Sequence, residues 1–221
     1  MLGTRMKIVP VFMMFVVCTT STFVLGHAVE DLMQEHGLLN RILLIYEEAA
    51  RKLKIHQPID PVVLVQSAHI VKQFIEDYHE RIEEAYIFPR LERAKRHVVL
   101  VSELRKQHVI GRSLTKAILK MASHPDLLDK HRLVKKLIYA LEEFVFMYRA
   151  HESREDTQIF PVFKELVSPE EYAQLGKLFE TIEQEQFGKQ GHDHMLAVIF
   201  AIEQQLGIHD LSYYSTDISF A

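Results

Sequence analysis

Six residues of this 221-residue chain have the types and spacing of a metal site: His36, His79, Glu83, His108, His151 and Glu155. A shift of 72 carries the first half into the second, so that His36, His79 and Glu83 become His108, His151 and Glu155. The flanks repeat with it: Leu32 matches Leu104, Phe74 matches Phe146, Glu80 matches Glu152, and Ile87-Phe88-Pro89 matches Ile159-Phe160-Pro161. Each half thus supplies a lone histidine and, 43 residues later, a His-x-x-x-Glu. Helical residues four apart share one face, so each such pair offers a nitrogen and an oxygen to one point. Four imidazoles and two carboxylates with twofold symmetry suit two metal ions about 3.5 to 4 Å apart, with Glu83 and Glu155 as the bridges. Imidazole suits iron, copper, nickel and zinc while carboxylate suits harder ions, so the mixed set favours two iron ions, with manganese or zinc as alternatives.

The elements that must position these residues are helices. Apolar residues recur at helical spacing almost throughout, and no alternating run argues for a sheet. Val29 to about Leu53 carries Leu32, His36, Leu39, Leu43 and Tyr46 on one stripe, which turns His36 inward. A second helix is expected from Val62 to Ile87, with Phe88-Pro89 as its end because the residue before proline resists the α region. A third runs from Val98 to Met121, and a fourth from Leu127 to Ile159, ended by the second Phe-Pro. Four such helices with short connections imply an all-α, up-down-up-down four-helix bundle, whose interior is a usual place for a metal site. A fifth helix follows, with Ser168 as N-cap and Pro169 at its first position. A sixth, from Asp193 to Gln205, stops at Gly207.

The ends and the composition narrow the function. Residues 1–28 read as a secretory signal peptide: Arg5 and Lys7 precede an apolar run, and Gly26-His27-Ala28 offers small residues for cleavage before Val29. The expectation is a periplasmic or secreted protein with no stable membrane span after cleavage, or a membrane-anchored one if the leader stays. Residues 29–190 then form the di-metal domain, and residues 191–221 a C-terminal helix and tail. Cys18 is the only cysteine and lies in the leader, so the metals must be held by nitrogen and oxygen. A net charge of −4, with Lys and Arg scattered among acidic residues, argues against nucleic acid as a partner. Of the remaining histidines, His27, His56, His97, His124 and His131 are expected in solvated or boundary positions and His69 off the ligand face, while His192 and His194 lack repeat partners and are expected to be solvated. Glu80 and Glu152 do match across the repeat, and two roles fit them equally well: orienting the histidines by accepting their outer ring N–H, or lying on a solvated face.

On these residues the chain resembles the hemerythrin-like HHE cation-binding family over about residues 30 to 190. The likeness rests on Gln34-Glu35-His36, His79-Glu80-Arg81-Ile82-Glu83-Glu84, Gln107-His108 and His151-Glu152-Ser153-Arg154-Glu155, with Ile-Phe-Pro after each His-x-x-x-Glu. It implies a non-haem, oxo- or hydroxo-bridged di-iron centre that takes a small diatomic ligand, O2 or NO, in a binding, sensing or stress-protection role. The alternative it implies is a di-iron redox enzyme acting on O2, peroxide or NO, which would need a redox partner. Ferritin-like proteins use Glu-x-x-His on two helices; here Glu76-x-x-His79 occurs once, with Tyr148 at the equivalent of Glu76. Oxygen-carrying members have another histidine where this chain has Arg112, and an aspartate five residues after the last histidine instead of Glu155 at four. Reversible oxygen storage is therefore not the expected activity.

Overall fold

The computed structural model describes residues 28–215. The expected leader falls, but for Ala28, outside the described residues. Among the described residues every element is helical. Helix α1 spans Ala28–Lys54, with Glu30 and Asp31 in its first turn and Arg51, Lys52 and Lys54 in its last, each charge opposing the nearby end of the helix dipole. Helix α2 runs from Val62 to Arg93 and α3 spans Val98–Ala122. Helix α4 runs from His131 to Leu166, α5 spans Pro169–Phe187 and α6 spans Gly191–Leu206. Each of the first four packs on the next and α4 closes back on α1, giving the four-helix bundle that the periodicity implied. Leu32, Leu39, Leu43 and Tyr46 are buried together with His36, and each such apolar side chain contributes about 1.5 to 3 kcal/mol.

Two expected boundaries are corrected. Neither Phe88-Pro89 nor Phe160-Pro161 ends its helix, for α2 continues to Arg93 and α4 to Leu166. The reason lies in the preceding turn. Glu83–Ile87 and Glu155–Ile159 are π-helical, and the N–H groups of Phe88 and Phe160 bond the carbonyls of Glu83 and Glu155, five residues back. The wider turn accommodates a proline that has no N–H to donate and whose ring would clash with the carbonyl four residues back in a regular α-helix. Phe88 itself stays in the α region, at φ −57° and ψ −42°. The start of α4 also shifts, from Leu127 to His131, because Leu127 is a buried anchor in successive tight turns: its N–H bonds the His124 carbonyl, and its carbonyl takes the Lys130 N–H.

The C-terminal helices break the twofold symmetry. Ser168 caps α5 by accepting the Glu171 N–H at 3.1 Å. Both α5 and α6 lie chiefly against α1 and α2, the first half of the repeat. Arg41 holds α6 to α1 through two bonds to Glu203, at 2.8 and 2.6 Å. No helix among the described residues is long and apolar enough to cross a membrane.

Candidate metal centre

The bundle brings the six repeat-related residues to one place. All are buried, with His108, Glu83 and Glu155 at 0 % exposure. Their inward atoms fall into two groups, His36, His79, Glu83 and Glu155 in one and Glu83, His108, His151 and Glu155 in the other, each with its atoms within 4.8 Å of one another. The two carboxylates belong to both. Glu83 lies with Oε1 3.6 Å from His79 Nε2 and Oε2 3.5 Å from His108 Nε2. Glu155 lies with Oε2 3.4 Å from His36 Nε2 and Oε1 3.1 Å from His151 Nε2. One oxygen of each carboxylate therefore faces each group, which is the arrangement of a bridging ligand.

Glu83 and Glu155 are each the first residue of a widened turn that runs up to Phe-Pro. A further π-helical stretch, Val71–His79, ends on His79 in α2, whereas α4 is regular from His131 to Arg154. The repeated Phe-Pro thereby gains a reason: it marks the spot where each helix must open by one residue.

The atoms fit a metal and fit little else. Neither oxygen of Glu83, neither oxygen of Glu155, nor Nε2 of His79 has a hydrogen-bond partner, although all are buried. Leaving such groups unpaired costs about 1 to 3 kcal/mol each, and more when they are charged. The separations of 3.1 to 3.6 Å across the four His–Glu pairs are long for hydrogen bonds. The two Glu155 pairs fall within the edges of a coordination polyhedron, about 3.0 to 3.4 Å for ligands about 2.1 Å from an ion, and the two Glu83 pairs lie just beyond them. His108 and His151 add a further sign. Each donates its Nδ1–H outward, to Glu84 Oε1 at 3.0 Å and Gln107 Oε1 at 2.9 Å, so their Nε2 lone pairs face each other at 3.2 Å. Only a cation, whether metal ion or proton, relieves that opposition.

The outer shell corrects the sequence expectation. Glu80 and Glu152 do not touch the histidines' outer nitrogens. Glu80 accepts from the Tyr148 hydroxyl at 2.7 Å and pairs with Arg112 at 2.7 Å, while Glu152 accepts from Asn40 at 2.5 Å. The orienting groups are their neighbours in sequence. His79 Nδ1 meets Glu35 at 2.6 Å and His36 Nδ1 meets Asp156 at 2.8 Å. Glu84 and Gln107 complete the set. These four obey the same shift of 72, Glu35 with Gln107 and Glu84 with Asp156, so the signal was present: each is the residue just before a lone histidine or just after a bridging glutamate. Glu80 and Glu84, four residues apart, share a face of α2 and both reach Arg112, but only Glu84 also meets a histidine's outer nitrogen, that of His108. The swap of Glu35 for Gln107 makes the His36–His79 side the more anionic of the two. Asp156 stands five residues after His151, yet it faces the outer nitrogen of His36 and leaves the inward position to Glu155. Arg112 is held by Glu84 at 2.6 Å as well as by Glu80, so it is no ligand. His192 and His194 belong to neither group; His194 is exposed and His192 is half-buried beside Phe74.

Without a metal the cluster stores protons instead. Burial opposes charge on His36, but its hydrogen bond to Asp156 and the nearby carboxylate of Glu155 outweigh it and push its pKa up to about 9. Burial likewise opposes charge on His79, which Glu83 and Glu35 nevertheless raise well above the ordinary imidazole value. Glu155, despite burial, is held well below the usual carboxylate range by His151 and His36. Glu84 falls to about 2 because His108 and Arg112 outweigh its burial. The sign for His36 is that of a raised pKa: its ion pairs stabilise the metal-free fold fully below its unfolded value of 6.5, and that contribution is lost as pH rises through about 9. A metal ion must displace this proton, so apparent affinity should climb about tenfold per pH unit for each proton displaced, levelling for His36 near pH 9. Chelator-competition titrations across that range check it, and a flat profile would show that His36 carries no proton to displace.

The comparisons with known proteins agree with this geometry. Uncharacterized proteins of Mycobacterium bovis and of two strains of Mycobacterium tuberculosis are 39 % identical to the chain over 188 residues, which is 85 % of this chain and 73 % of theirs. No solved structure matches it. Residues 27–163, which contain all six inward-facing residues and the two π turns that begin at Glu83 and Glu155, match the hemerythrin HHE cation-binding domain, and the chain belongs to that family.

Proposed function

We propose that His36, His79, Glu83, His108, His151 and Glu155 hold two iron ions, and that the centre takes up a small diatomic ligand, O2 or NO, in a binding, sensing or stress-protection role. The carrying observation is the set of buried, unpartnered oxygens of Glu83 and Glu155, each carboxylate divided between the two histidine pairs. Two imidazoles and two shared carboxylates give each ion four protein ligands, which leaves room for a small molecule. Iron supplies the redox and Lewis-acid chemistry when bound. The protein's part is to fix geometry: Glu35, Asp156, Glu84 and Gln107 hold the four rings with their Nε2 lone pairs inward. Phe88 and Phe160 stack beside His108 and His36, with ring centroids 5.6 Å apart in both cases, and help to exclude water. The leader read from residues 1–28 supports action outside the cytoplasm.

The test is metal analysis of the purified full chain with optical spectra of the reduced protein, recorded before and after exposure to O2 and to NO. About two irons per chain and a spectral response to one of the gases are expected. Arg112 replaces the further imidazole of oxygen carriers, so exposure to air should oxidise the reduced protein without a spectrum that reverts on deoxygenation. Folded protein that binds no iron, or a reversible oxygen spectrum over repeated cycles, would contradict the proposal. Catalytic turnover of O2, peroxide or NO with an added reductant would favour the enzyme reading.

A further inference from the structure

The duplication exposes a surface. In the first half, Phe74 is buried at 0 % exposure, with Phe187 of α5 5.3 Å away. Its repeat equivalent, Phe146 on α4, is 79 % exposed, because the C-terminal helices cover only the first half. The same holds for Leu38, 1 % exposed, and its equivalent Ile110, 49 % exposed. Phe146 stands as a ridge between two grooves, one against α3 of about 440 Å³ and one against α1 of about 620 Å³. Both grooves are also lined by Ala150, one turn further along α4.

We infer that this face of α4 is the contact between two copies of the chain, packed antiparallel about a twofold axis. Three features of this face select a second copy. The outward residues Tyr139, Glu143, Phe146, Ala150 and Ser153 are all exposed and follow a 4-3-4-3 spacing, the seam of a helix that packs on another helix. Within that seam a large knob and a small hole lie one turn apart, so a twofold axis between them seats each Phe146 over the Ala150 of the other copy. The same axis brings Glu143 of one copy to Arg154 of the other. Neither of these charges has an ion-pair partner among the described residues. Their neighbours are already paired inside the chain, Arg149 with Glu47 and Lys54 with Glu142. The face is thus complementary to itself in shape and in charge, as an isologous interface requires. None of this depends on which metal or gas the centre binds.

Sedimentation equilibrium of the full chain, from low-micromolar to sub-millimolar concentration, should show a reversible dimer. Phe146→Glu should weaken it about 30-fold or more, as a central aromatic does. Circular dichroism and metal content should stay unchanged, because Phe146 does not contribute to the core. Ala150→Arg, which fills the hole, should act alike. Glu143→Arg and Arg154→Glu should each weaken the dimer about two- to fivefold, and the double reversal should restore it. A wild-type monomer at all concentrations overturns the inference, and it is the result expected if residues 1–27 or 216–221 of the same chain cover the face. A dimer indifferent to both Phe146→Glu and Ala150→Arg overturns it equally.

Discussion

Replacing Glu155 with alanine is expected to cost the protein at least one metal ion per chain and to lower its melting temperature by about 8 to 16 °C. The argument for the metal is geometric. Glu155 presents one oxygen to the His36 side and the other to the His151 side, 3.4 and 3.1 Å from their Nε2 atoms, so its removal would take a ligand from both of the proposed ions together. The thermal shift follows from linkage: a ligand at about a thousand times its Kd adds about 4 kcal/mol, and each kcal/mol moves Tm by about 2 to 4 °C in a domain of this size. Glu83→Ala should behave alike, with oxygens 3.6 and 3.5 Å from His79 and His108. Glu155→Gln separates metal loss from packing loss, because it keeps the volume of the side chain but not the charge that bridges. Metal content by mass spectrometry and thermal melts decide the matter together, and full metal in either alanine variant would show that the carboxylates do not bridge.

The second large effect is expected at a residue with no chemistry of its own. Gly111→Ala should destabilise the fold by about 2 to 5 kcal/mol, the sum of overpacking and a broken buried hydrogen bond. A Cβ at Gly111 would lie 2.0 Å from the Tyr148 hydroxyl and 2.8 Å from its ring carbon. Tyr148 cannot swing aside, being 1 % exposed with Phe144 4.3 Å from its ring centroid. Any shift also breaks the 2.7 Å bond that its hydroxyl donates to Glu80, a carboxylate that is also paired with Arg112. Denaturant unfolding measures the loss. Adding Tyr148→Phe should recover part of it, since the hydroxyl goes but the ring stays close; no recovery at all would place the strain elsewhere.

Gly111 also shows where sequence reading stops. The third helix's stripe of Leu104, His108, Gly111 and Ile118 was visible as a buried side, but the glycine's purpose was not. It belongs to a contact between α3 and α4, which are far apart along the chain at this point, and only docking brings Tyr148 against it. The same limit applies to Arg112. Its position identified what it replaces, whereas its grip on both Glu80 and Glu84 follows from two turns of α2 facing it.

The sequence by itself determined the helical class, the bundle, the duplication and the six residues that converge, because these rest on local periodicity and on a symmetry that a shift of 72 states outright. A helix pattern and a repeat need no coordinates to be read, since equivalent residues of paired hairpins must meet at equivalent distances from the axis. Tertiary structure alone decided three things. It showed that the Phe-Pro pairs follow π turns and do not end helices, because proline's cost depends on whether the turn before it can widen. It gave the outer nitrogens of the histidines to Glu35, Asp156, Glu84 and Gln107, because the azimuth of a side chain around a packed helix is set by what it docks against. And it left Phe146 in solvent while burying Phe74, because two helices that follow the duplication in the chain have only one of its two equivalent faces to cover.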